Sequence, residues 1–265
     1  MMPPRSIEAI AGDLVLALQN DSLTWPKRLH SYSWGSSRAK KIGAKETLMN
    51  LDSLKAPMMN IFQQIKDGKT TSHDDRENLT RFAQDVFRWG GVTRSNSERA
   101  RDGAIVENVI KAALSWHVSN PRPPMNSGWT KVAALSSEFV EIEGGLPQVI
   151  FDSRVAASLL THLDDILDCV PDGSRPASFL PEPLARLGYV PSRGAKARGR
   201  CNHRIGWPNG YRNWESQFAA SRLVNAIRDN LNKNLMKYGK MPFSPYPDGR
   251  WSTRGVEMVL FMDGK

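Results

Sequence analysis

The sequence predicts a mainly helical fold with few, short strands. Three observations predict it. Apolar residues recur at three- and four-residue spacing along most of the chain, the mark of amphipathic helices. Strand-like runs are sparse and short. The chain has 265 residues, 40% of them hydrophobic, enough to bury a core as one large domain or as two small lobes.

In chain order, Ile7, Ile10, Leu14 and Leu18 share one helix face, and Leu79, Phe82, Val86 and Trp89 share another that Gly90-Gly91 should end. Val106, Val109, Ala113 and Leu114 mark a third helix, which stops before the proline-rich residues 121–124. Residues 119–128, rich in Pro, Asn, Ser and Gly, read as a connector into a short apolar helix that begins near Lys131. Asp152 opens a helix with Val155, Leu159, Leu163 and Ile166 on its apolar face; Asp164, Asp165 and Asp168 read as a solvated acidic face rather than a metal site. Trp214, Phe218, Val224, Ile227, Leu231 and Leu235 predict a long late helix, with Arg222, Arg228 and Lys233 off that face. Phe218 and Trp251 read as packing. The strand candidates are residues 139–142 and 257–262.

Lys and Arg total 36 against 27 Asp and Glu, a net charge of +9. That balance points to a polyanionic partner, because each phosphate contact releases condensed counterions. The charge is densest in residues 192–204, where Arg193, Lys196, Arg198, Arg200 and Arg204 occur without an acid. This predicts a basic loop that contacts phosphates, with a merely solvated loop as the alternative. Two cysteines, Cys169 and Cys201, build neither a disulfide framework nor a metal site, so no metal or cofactor is expected. The N-terminus lacks the apolar core of a signal peptide, and no run of about 18 apolar residues occurs. The expectation is a cytoplasmic monomer with no membrane partner.

Two residues in the stretch 126–163 have chemistry suited to breaking an N-glycosidic bond. Cleavage builds positive charge on the sugar, and a carboxylate beside it stabilises that charge or orients a nucleophile. Asp152 stands at a predicted helix start, where backbone N–H groups and the helix dipole favour an ionised side chain. An amine can instead attack the sugar carbon and form a Schiff base, and Lys131 lies at the start of an apolar helix. The plainer readings are a simple cap for Asp152 and a solvated first-turn lysine for Lys131.

The segments GWTKVAAL and PQVIFDSRV resemble the core of the 8-oxoguanine branch of the helix-hairpin-helix DNA glycosylases. In that family a glycine-rich turn precedes Thr-Lys-Val-Ala, matched here by Thr130-Lys131-Val132-Ala133. An apolar segment ending in Asp at a helix start is matched by Ile150-Phe151-Asp152. The resemblance covers about 40 residues, and the chain departs from it at Trp129, where the family turn has a second glycine. It implies a two-lobed helical glycosylase-like domain over residues 1–265, with a motif core at 126–168 and a basic insertion at about 170–213.

By the same resemblance Lys131 is the nucleophile and Asp152 the acid/base and charge-stabilising carboxylate. The partner would be double-stranded DNA, from which one base is flipped out. Trp129, His203, Trp207, Asn209, Tyr211 and Trp214 are then candidates for the base pocket or wedge. Gly128, Arg154, Arg193, Lys196, Arg198, Arg200 and Arg204 are candidates for the DNA backbone. The target expected first is a hypermodified cytosine of phage DNA, such as the glucosylated hydroxymethyl form, excised in antiviral defence. Alternatives are an 8-oxoguanine repair glycosylase with lyase activity, a non-catalytic nucleic-acid-binding protein, and a helical interaction module.

Overall fold

The computed structural model describes residues 5–19, 23–35, 41–93, 96, 98–191 and 203–264. The fold is mainly helical. Helices α1 (Ile7–Leu18) and α2 (Trp25–His30) precede a two-residue pair of strands, β1 (Ser33–Trp34) and β2 (Ile42–Gly43). Then come α3 (Ala44–Lys55), α4 (Met59–Lys66), α5 (His73–Trp89), α6 (Gly103–Ser115), α7 (Trp129–Ser137) and α8 (Ser153–Ile166). The chain ends with α9 (Trp214–Lys233), α10 (Leu235–Tyr238) and α11 (Thr253–Asp263). It folds as two compact units, one of Met1–Thr47 with Phe151–Lys265, the other of Leu48–Ile150. The stretch 126–168 is therefore divided between them, with Lys131 in the second unit and Asp152 in the first.

Within the first unit, α1 and α11 pack both on the long α9 and on α8, and α2 packs on α11. The predicted face of α1 is buried through Ile10, Leu14 and Leu18, and that of α8 through Val155, Leu159 and Leu163. Asp263 ties three helices together. Its carboxylate accepts from Arg28 of α2 at 2.8 Å and from Ser158 of α8 at 2.8 Å, and His162 of α8 lies 2.8 Å away. Burial pushes the Asp263 carboxyl up, but the hydrogen bonds from His162 and Ser158 and the positive charge nearby outweigh it and hold it below its ordinary value.

Within the second unit, α6 is central and contacts α4, α5 and α7. Ser72 and Asp75 form a reciprocal capping box at the start of α5. The buried Glu107 of α6 accepts from Thr71 at 2.7 Å and pairs with Arg76 and Lys111 at 3.2 and 2.6 Å. Gly103 lets α6 start against α5, since a Cβ there would stand 2.4 Å from the Arg76 carbonyl oxygen. Helix α5 stops at Gly90, and Gly91 follows at φ +64°.

Both strand candidates are corrected. Residues 139–142 fall in a 3-10 turn, Glu138–Glu141, and its end. Residues 257–262 belong to α11, which is buried from Thr253 to Phe261. A continuous apolar run fits a buried strand and a buried helix equally, so its pattern alone cannot choose. The late helix also breaks earlier than expected, at Asn234, placing Leu235 in α10. Arg228, expected off the apolar face, is buried, with its guanidinium bonded to Asp229 at 2.8 Å and to Thr253 at 3.0 Å. Among the described residues no helix is long and apolar enough to cross a membrane.

The Asp263 network makes a test. A carboxyl held below its unfolded value stabilises the fold above the ordinary carboxylate range, and that contribution disappears as pH falls through the lowered value. Asp263→Asn is expected to lose about 1–3 kcal/mol at neutral pH. Urea unfolding over a pH series should show the gap between variant and parent narrowing in acid.

Candidate functional site

Asp152 is the N-cap of α8. Its side chain accepts from the backbone N–H of Arg154 at 3.0 Å and of Val155 at 3.2 Å, and it is only half-buried. One oxygen, Oδ1, takes both bonds. The cap therefore fixes the carboxylate's direction without consuming all its acceptor sites.

The charge of Asp152 reaches Tyr32, which belongs to an aromatic and charged cluster of the first unit. The Arg154 guanidinium lies over the Phe261 ring at 4.5 Å, and that ring contacts Tyr32 at 5.8 Å and Trp34 at 5.2 Å. Helix α11 adds a buried ion pair, Arg254 with Glu257. Burial pushes the Tyr32 phenol well above its ordinary range; Glu257 adds to this, Arg254 opposes it, and the Asp152 charge also raises it. Tyr32 is thus held as a neutral phenol within the field of the candidate carboxylate. Burying two charges costs several kcal/mol per ion on general grounds, so the Arg254–Glu257 pair adds little stability of its own.

Lys131 lies in the first turn of α7, with only 3% of its surface exposed. Its ammonium donates to the Ser127 carbonyl oxygen at 2.7 Å. Gly90 makes room for its stem: a Cβ on Gly90 would stand 2.6 Å from Lys131 Cδ and 2.8 Å from Cε. The expectation of a solvated first-turn lysine does not hold, because α7 is buried along its whole length.

The turn before α7 does not offer bare amides. Asn126 Oδ1 accepts from Gly128 N–H at 2.8 Å and from Trp129 N–H at 3.2 Å, and Asn126 donates to Asn96 at 2.8 Å. Gly128 is buried, and a Cβ there would meet Asn96 Nδ2 at 2.3 Å. The expected phosphate contact at Gly128 is therefore corrected: its amide is spent inside the unit, and its missing side chain serves packing. Trp129 is likewise core rather than pocket, fully buried with its ring edge-to-face on Phe87 at 5.0 Å.

The 203–214 candidates separate into two groups. Trp214 is fully buried against Phe218, and Trp207 is buried with Nε1 donating to Asp164 at 2.9 Å. Asp164 also accepts from Arg204 N–H at 2.7 Å, with His203 3.4 Å away. The Arg204 guanidinium donates to the Asp164 carbonyl at 2.9 Å and to those of Leu167 and Val170, capping the end of α8. Trp207, Trp214 and Arg204 are thus structural, and Asp164 is a hub rather than part of a solvated acidic face. Asp165 and Asp168 are exposed.

Asn209 remains exposed and Tyr211 half-exposed, with Asn209 Oδ1 accepting from Tyr211 N–H at 2.9 Å. Arg193, Lys196, Arg198, Arg200 and Cys201 lie outside the described residues. Cys169 is exposed and free.

Reading the sequence missed Tyr32, Trp34, Arg254, Glu257 and Phe261. The one available signal was the Arg254/Glu257 pair, three residues apart inside an otherwise apolar run. The aromatics carry no local signal, since they come from opposite ends of the chain. Among the described residues no group of three or more His, Cys, Asp or Glu could hold a metal ion. No protein-family model, no curated protein and no solved structure matches the chain.

The capping role of Arg204 has a measurable consequence. Arg204→Ala should leave the last carbonyls of α8 without their cationic donor and cost about 1.5–3 kcal/mol in urea unfolding. Had Arg204 been a surface cation, the loss would stay within about 0.5 kcal/mol.

Proposed function

We propose that the chain is a DNA N-glycosylase that flips out a modified base and cuts its bond to the sugar, with Asp152 stabilising the positive charge that develops on the sugar. The observation that carries this reading is the Asp152 carboxylate, fixed at the start of α8 by two backbone N–H groups, half-buried, and close enough for its charge to act on the Tyr32 phenol. A fixed carboxylate with spare acceptor sites can face developing positive charge without reorganising during the reaction. The net charge of +9 suits a phosphate-bearing substrate. Trp34, half-buried, rather than the fully buried Trp129 or Trp214, is the ring assigned to the extruded base, with the buried Tyr32 packed beside it through Phe261. The Trp34 ring supplies a flat surface for a base.

Lys131, as the neutral amine, is the proposed nucleophile: its nitrogen bonds to the sugar carbon as the bond to the base breaks, and the proton it then sheds goes to the departing base. The Ser127 carbonyl oxygen holds that nitrogen in a buried helix, so it has few rotamers to search. The substrate proposed first is a hypermodified cytosine, such as the glucosylated hydroxymethyl form found in phage DNA. The proline-, glycine- and arginine-rich segment 170–213 supports a polar surround for a sugar-bearing base.

The purified protein should release the glucosylated base from a duplex that carries it and nothing from an 8-oxoguanine duplex. Release of 8-oxoguanine alone would assign the repair substrate instead, and free base from neither would overturn the glycosylase reading. Asp152→Asn should keep duplex affinity while losing about 100-fold or more of base release. A non-catalytic binder would show no difference between the two proteins beyond binding.

The amine is tested by borohydride trapping, in which Lys131→Gln should abolish a covalent protein–DNA adduct. Gly90→Ala should lower the adduct yield by about tenfold or more by displacing the Lys131 stem. Since φ −76° and ψ −4° at Gly90 suit alanine, a fall in its unfolding midpoint, about 1–3 kcal/mol, would report the crowded Lys131 stem rather than backbone strain. Base release without any adduct would make water the nucleophile.

A further inference from the structure

The loop between α10 and α11 is built more firmly than a connector requires. Met241 N–H donates to Gly249 O at 2.9 Å, Gly249 N–H to Tyr246 O at 3.0 Å, and Ser244 Oγ to Arg250 O at 2.6 Å. Its far end is locked by Trp251, fully buried, which donates from Nε1 to Gly239 O at 2.9 Å and packs edge-on against Trp25 at 5.8 Å. Asn232 exchanges two further bonds with the Trp251 backbone, at 2.6 and 2.9 Å. Helix α2 supports the near side, with Pro26 close to Gly239.

This scaffold holds a bulky aromatic in a position that folding does not reward. Phe243 has φ +60° and is 43% exposed, with its ring on His30 at 5.3 Å. Such a backbone conformation is a true outlier for a bulky residue and persists only where the surroundings over-determine it. Cations and rings interleave around it. The Arg250 guanidinium stacks on Tyr246 at 4.0 Å, Lys237 sits over Tyr238 at 5.0 Å, and the Lys240 stem lies within 2.8 Å of where a Gly249 Cβ would be. Residues 235–251 hold three cations and one acid, Asp248.

We infer that this loop, with α2 behind it, is a second nucleic-acid-binding surface of the first unit, separate from Asp152. Phe243 stacks on an unpaired base while Lys240 and Arg250 contact phosphates. Alternating aromatic and cationic groups are what a strand with unstacked bases needs. A membrane-docking surface would instead need a broad apolar face, and here Phe243 and Met236 protrude singly among charges. The inference rests on the DNA reading above but not on base excision.

The test is anisotropy of the full chain with a labelled duplex carrying a central unpaired bubble, against the same duplex fully paired. The parent protein should prefer the bubble. Phe243→Ala should lose that preference by about fivefold or more. Phe243→Asn, which tolerates positive φ, should lose it equally while keeping the loop folded. The double variant Lys240→Gln/Arg250→Gln should flatten the salt dependence of binding by about two phosphate contacts. A parent that binds no DNA overturns both this surface and the DNA reading. A parent that binds DNA, with all three variants unchanged, overturns this surface alone, as do variants that lose binding to anionic vesicles while keeping it to DNA. Bubble binding that depends on Phe243 in a protein that releases no base keeps this surface and removes the glycosylase reading.

Discussion

Helix α8 is the member on which the first unit depends, and the Asp152 cap sets where it begins. The helix is held at three places. Asp152 takes the first free N–H groups, Asp263 binds Ser158 and pairs with His162 in the middle, and Arg204 covers the last carbonyls. A helix held in this way cannot slide or tilt without breaking charged hydrogen bonds, each worth more than a neutral one. The direction of the Asp152 carboxylate is thereby set by the whole unit rather than by a local turn. Chemistry that needs a carboxylate held still gains from that arrangement.

The second unit applies the same logic to an amine. Lys131 is placed by the burial of α7, by the Ser127 carbonyl, and by the missing side chain at Gly90. The turn before it spends its amides on Asn126, whose own side chain is held by Asn96. Internal satisfaction of the turn makes it rigid, and it also removes the amides from any role toward phosphate. The turn thus fixes the lysine that follows it while its amides serve only the fold.

Periodicity made most long helices legible: the faces of α1, α5, α6 and α8 are the ones the apolar spacing names, and Asp152 as a cap was readable from its position before an apolar repeat. The errors share one cause. Where a segment is apolar on all sides, as in α11, period carries no information, and the run looks like a strand. Helices α2, α3 and α4 went unread for a different reason. Helices α2 and α4 are too short to repeat a face, and α3 opens on Lys and Glu, sets Asn, Asp and Ser between its leucines and spans the division between the units. Arg228 and Asp164 were misjudged because a charged residue reads as surface until its partner is known, and their partners Thr253 and Trp207 are distant in sequence.

The site illustrates the same limit. Looking for aromatics near the motif led to Trp129, Trp207 and Trp214, and all three turned out to be buried packing groups. A buried tryptophan contributes a large apolar area to a core, so tryptophan density in sequence tracks cores more than binding surfaces. The rings of the cluster that the Asp152 charge reaches, Tyr32, Trp34 and Phe261, come from the segment at β1 and from α11, about a hundred residues away on either side. The packing of α11 on α8 and of α2 on α11 brings those ends together. Phe243, an aromatic that does reach solvent, sits in a loop that neither period nor motif marks; its backbone conformation singles it out, and that is a property of the fold rather than of the residue string.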